Sequence, residues 1–260
     1  MYNTIYFDRL KAICKANNFA RKGTAFFRVI GDGVLQVINY KKRRYAVNHH
    51  INIGLFSLYG EIEEQWLTSA GCIPRYSLFA LFSPILEAIH CTTLGPPEDT
   101  QLEILEQKCI PWLNTILTQS ILAEAMCMLD CASYSDITPS EISDFSGSIS
   151  TTDYAWLILW DDSLKLAPYM KSGQYQKALQ VVDAIRKQHR SAREDWKKQL
   201  SEQDYIKHIA KQDQIDKPFY DLFELIERQN QKEIHEYMEN NYRTNCSLLR
   251  FAMRTNKESK

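Results

Sequence analysis

The stretch "VLQVINYKKRRYAVNHHINIGLF", Val34 to Phe56, decides the fold. Two apolar runs rich in β-branched and aromatic residues flank four consecutive cations, the pattern of two strands joined at a solvated turn. The second run alternates. Tyr45, Val47, His49, Ile51, Ile53 and Leu55 form a mostly apolar set, and Ala46, Asn48, His50, Asn52, Gly54 and Phe56 a more polar one. Period two is the signature of a half-buried strand. It also sends His49 and His50 to opposite faces, so a regular strand cannot hold one ion between them.

Working outward, Gly31-Asp32-Gly33 separates "AFFRVI" from "VLQVINY" and predicts an antiparallel hairpin. Ahead of it, Ile5, Tyr6, Leu10, Ile13 and Cys14 recur at helical spacing, which predicts a helix over Asn3–Ala16 that Asn17-Asn18 stops. Downstream, residues 98–131 turn helical, with a break expected near Pro111. Residues 133–153 are rich in Ser, Thr and Asp and read as a linker. Beyond them the spacing is helical to the end. A turn is expected at Ser172-Gly173, an inner stripe at Leu179, Val182 and Ile185, and further helices over 191–211, 218–229 and 231–253. The fold class is therefore α+β: an antiparallel β-sheet with flanking helices packed on one face, then an all-helical C-terminal region. The expected division is an α+β domain over 1–132, the linker over 133–153 and a helical domain over 154–260.

Charge is unevenly spread. Residues 1–60 carry a net +8, residues 61–170 a net −13 and residues 171–260 a net +4, within a total of −1. Such asymmetry points to surfaces that attract each other or a protein partner sooner than to a nucleic acid. The seven cysteines are scattered, with no C-x-x-C pair, as expected of reduced thiols in a cytosol. The first residues lack the apolar core of a secretory signal, and no run approaches the length of a membrane span. A cytoplasmic protein without a membrane partner is expected.

The N-terminal motifs resemble a known family. Phe19, Gly23, Phe26-Phe27-Arg28, Val37-Ile38-Asn39-Tyr40 and Asn52-Ile53-Gly54, with Cys72-Ile73-Pro74-Arg75 after them, look like the bacterial domain of unknown function 4304. The resemblance covers roughly residues 1–130. It departs where a Gln-Lys-Ser stretch is replaced by Lys41-Lys42-Arg43. It implies an α+β fold in a bacterial protein and no established activity.

Two groups of residues are candidates for binding. Arg28, Gln36, Asn48, His50 and Asn52 are expected to line one polar sheet face, where they would hold a small anion or a peptide. Lys41, Lys42, Arg43 and Arg44, between Tyr40 and Tyr45, form a basic loop that would contact phosphates, or simply keep a hairpin tip soluble. A basic loop alone specifies no base contact, so nucleic acid is the disfavoured partner. Motifs for nucleophilic, phosphate-loop or zinc chemistry are missing, so no catalytic residue, metal or cofactor is assigned. The leading expectation is a non-enzymatic binding module, immunity-like or regulatory, with another protein as partner. The alternatives are a small-molecule or nucleotide-processing protein using the polar sheet face, and weak RNA binding through the basic loop.

Overall fold

A computed structural model describes residues 4–42, 49–62, 76–77, 98–134 and 163–254. The chain divides into two compact units, Met1–Ile137 with Asn241–Lys260, and Thr138–Asn240.

The first unit opens with helix α1, Thr4–Ala16, which buries Tyr6, Leu10 and Cys14 along one stripe. The helix ends as its sequence implies. Asn17 Nδ2 donates back to Ile13 O at 2.9 Å, and Asn18 takes a left-handed φ of 63°. Five antiparallel strands follow in chain order across one sheet: β1 Ala20–Lys22, β2 Ala25–Ile30, β3 Val34–Lys42, β4 His49–Ser57 and β5 Tyr76–Ser77. The Gly31-Asp32-Gly33 turn joins β2 to β3 as expected, with both glycines at positive φ.

Every residue from Val34 to Tyr40 is buried, including Gln36 and Asn39. The central strand therefore has no solvent face. Its apolar run is continuous for a general physical reason: a strand covered on both sides loses the need to alternate. The rings of Tyr6 and Phe7 on α1 meet Tyr40 and Phe26, which defines the face that α1 covers.

The helical stretch 98–134 breaks near Pro111 as expected, just past it and not at it. Helix α2, Glu98–Ile104, runs into a π-helical turn over Leu105–Cys109 and then into α3, Ile110–Leu113. Pro111 sits at the start of α3, where a missing N–H is tolerated. The true break lies between α3 and α4, Gln119–Tyr134.

In the second unit, α5 Leu166–Lys171 turns at Gly173 into α6, Tyr175–Gln199. Helix α7 spans Glu202–Arg228 and α8 Gln231–Arg254. Two expected boundaries move. No Gly or Pro separates Gln188 from Ser191, so α6 continues until Ser201 caps α7 by accepting from Asp204 N at 3.2 Å. Pro218 lies inside α7 and starts no helix. The inner stripe of α6 is Ala178, Val182, Ile185, His189 and Trp196, with Leu179 only half-buried. The domain division also changes. Helix α8 begins in the second unit, but residues 241–260 belong to the first. The linker residues 135–153 lie outside the described residues. No helix among the described residues is long and apolar enough to cross a membrane.

Candidate functional site

The strand register separates the expected polar face into two. Arg28 pairs with Gln36, which pairs with Leu55, whereas Asn52 pairs with Asn39 and His50 with Lys41. Cross-strand partners share a face and successive residues alternate. Arg28 and Gln36 therefore belong to one alternation, and His50 and Asn52 to the other. They cannot line a common pocket. Asn48 lies outside the described residues, as do Arg43 and Arg44. Lys41 and Lys42 are not loop residues. They occupy the last two positions of β3, opposite His50 and His49.

What the fold assembles around Arg28 is a closed polar centre. The side chain is 8% exposed and Gln36 is fully buried. Arg28 Nε donates to Gln36 Oε1 at 2.9 Å, one terminal nitrogen donates to Asn17 O at 2.9 Å, and the other to Asn114 Oδ1 at 2.6 Å. Gln36 Nε2 donates on to Leu113 O at 2.6 Å. The guanidinium also lies 4.3 Å from the centre of the Phe19 ring, a cation–π contact. One arginine thus ties together β2, β3, the end of α1 and the end of α3. Its described partners are neutral and include no carboxylate.

Two thiols stand beside this charge. Burial pushes the Cys14 thiol up to about 12, with Arg28 pulling the other way. Burial raises Cys109, at the end of the π-helical turn, well above the ordinary thiol range, and Cys14 adds to the effect. Burial in turn lowers the Arg28 guanidinium from its usual value, opposed by Cys109 and Cys14. Both cysteines are free and buried, as expected of reduced core thiols. Protonated, buried thiols are poor nucleophiles and poor metal ligands. The centre is chemically quiet: it holds elements together and presents no poised acid, base or nucleophile.

A second polar centre, in the helical unit, was not legible in the sequence. His189 of α6 is nearly buried. Its Nδ1 lies 2.6 Å from Tyr220 Oη, and its Nε2 stands 2.8 Å from Asp216 Oδ2, off the line of a directed hydrogen bond. Gln212 Nε2 donates to Asp216 Oδ1 at 2.8 Å. Arg193 pairs with Asp213 and lies 3.5 Å from Asp216. The signal that could have found it is a lone histidine on the inner stripe of α6, with Gln212, Asp216 and Tyr220 recurring every four residues along α7.

The exposed surface of the helical unit carries a different feature. Leu200, in the turn between α6 and α7, is 38% exposed, and Ile206, in the second turn of α7, is 62% exposed. Two large aliphatic side chains thus stand in solvent at the same end of the hairpin. Comparison with known proteins adds no relative: no family model, no curated protein and no solved structure matches the chain.

Proposed function

We propose that this protein is a non-enzymatic interaction module whose binding partner is another protein. The observation that carries the reading is the exposure of Leu200 and Ile206 at one end of the α6–α7 hairpin. Ile206 in particular is 62% exposed, and a protein partner that covered these aliphatic side chains would gain their burial. The commitment of Arg28 and Gln36 to internal hydrogen bonds supports the same reading, because the anchors a ligand would need are already engaged. The motif resemblance to the domain of unknown function 4304 supports a bacterial setting and names no reaction; the scattered cysteines, Cys14 and Cys109 buried among them, support a cytoplasmic one.

The test is affinity capture from a bacterial host at moderate salt, with the co-purifying protein identified by mass spectrometry. A near-stoichiometric partner is expected, and Leu200→Ser with Ile206→Ser should release it while leaving the helical circular-dichroism signal intact. A partner that stays bound to this double variant, or a chain that purifies alone, counts against the proposal.

One observation favours a second reading, a small-anion site at Arg28: the described partners of this guanidinium include no carboxylate. Its donors are engaged, so an anion near it would act on the unbalanced charge and not by displacing those hydrogen bonds. Phosphate, sulfate or a small carboxylate should then raise the melting temperature of the wild type and not of Arg28→Gln. Equal shifts in the two proteins would dismiss this site.

A further inference from the structure

The α6–α7 hairpin contains a polar layer in the middle of an apolar seam. On the α6 side, Ala178, Val182 and Ile185 precede it and Trp196 follows. On the α7 side, Phe219, Phe223 and Ile226 lie toward one end, and His208 packs edge-on to Trp196 at the other. Between them sit His189, Gln212 and Asp216, all buried, with Tyr220 at the margin.

Apolar contacts are non-directional, so a seam of Val, Ile and Phe alone discriminates poorly between two helices in register and the same helices displaced by one turn, about 5.4 Å. The polar layer discriminates strongly. Asp216 has no solvent exposure, and its two oxygens face Gln212 and His189. Displaced by one turn in one direction, its carboxylate would face Ile185 and His189 would lose both the carboxylate and the Tyr220 hydroxyl; displaced in the other, it would meet Arg193 but leave His189 without the carboxylate and break the Arg193–Asp213 pair. Arg193, which reaches both Asp213 and Asp216, adds a second tie in the same register.

We propose that the His189–Asp216 contact, completed by Gln212 and Tyr220, is a register lock. It selects one alignment of α6 on α7 and adds little to the stability of the hairpin. The division of labour follows from desolvation: burying a carboxylate costs about as much as its pairing returns, whereas the penalty for mispairing is undiminished.

The experiment compares the full-length wild type with a triple variant, His189→Leu, Gln212→Leu and Asp216→Leu, and with the polar control His189→Gln, Asp216→Asn. Spin labels on ketone-bearing unnatural residues at the exposed positions Lys187 and Asp221 leave the native cysteines untouched and report the inter-helix distance. The wild type and the polar control should each give one narrow distance population. The triple-leucine variant should keep its helical signal and melt within about 5 °C of wild type, but give a broadened or split distance distribution. A single narrow population in that variant would show that the apolar seam sets the register unaided. Loss of its helical signal would show that the layer is a stability element instead. Either result overturns the proposal.

Discussion

Removing the Arg28 guanidinium would leave Gln36 Oε1 and Asn114 Oδ1 without their donor inside a closed centre. Arg28→Met should therefore destabilise the first unit by about 2–4 kcal/mol, the cost of breaking a buried network on one side. Urea unfolding followed by tryptophan fluorescence checks this, and a change under 1 kcal/mol would mean that the network is not closed. Cys14 yields a pH dependence. Its folded-state value of about 12 lies above the ordinary 9, so the native state holds its proton more tightly than the unfolded state does. Stability is then undiminished below pH 9 and falls as pH rises from about 9 toward 12, by up to about 1.4 kcal/mol per unit. Cys14→Ala should reduce that fall, leaving the part that Cys109 contributes, measured as the difference between urea midpoints at pH 8 and pH 10.5. That Arg28 and Gln36 are polar was plain in the sequence. That they share a face was expected, and they pair across β2 and β3; that His50 and Asn52 fall on the other face was not legible, because register is set by pairing between strands and is invisible within one.

At the scale of elements, the β2–β3 turn shows the closest fit. Gly31 has φ +51°, and a Cβ there would stand 1.9 Å from Leu117 O. The same turn docks on the segment between α3 and α4, with Asp32 N donating to Leu117 O at 2.9 Å and Gln119 Nε2 donating to Asp32 O. Gly31→Ala should displace that contact and cost about 2 kcal/mol or more, since strain and collision add. A thermal melt of the single variant decides it, and an unchanged midpoint would exclude the collision. At the start of α7, Ser201→Ala removes a helix cap and should cost about 1 kcal/mol. Backbone hydrogen exchange should report this first over residues 202–206, and uniform exchange along α7 would argue against a role for the cap. The Gly-Asp-Gly turn was readable because glycine is the residue that takes both positive-φ positions without steric cost. The Ser201 cap was missed because the charged, amphipathic pattern runs unbroken on both sides of Leu200.

On the scale of the molecule, the last helix does what no local pattern announces. In the first unit, Asn245 Nδ2 donates to Leu58 O at 2.9 Å and to Gly60 O at 2.7 Å, and Tyr242 stacks on Tyr59 with ring centres 5.0 Å apart. Tyr59 Oη in turn donates to Asp32 Oδ1 at 2.9 Å. The end of β4 is thus satisfied by side chains from the far end of the chain. Asn245→Ala should cost about 2 kcal/mol and raise exchange at residues 242–250 above that at 231–240; equal protection along α8 would refute the anchoring role. Periodicity by itself determined that the protein is α+β, with a helix, a glycine-turn hairpin and a third strand in that order, followed by helices. Those features depend on residues close in sequence, where backbone sterics and side-chain spacing act directly. Only the tertiary structure decided that both faces of β3 are buried, that Arg28 joins Gln36 and not His50, that His189 meets Asp216, and that residues 241–254 complete the first unit. Each of these joins residues distant in the chain, and each depends on a partner whose position the local pattern does not contain.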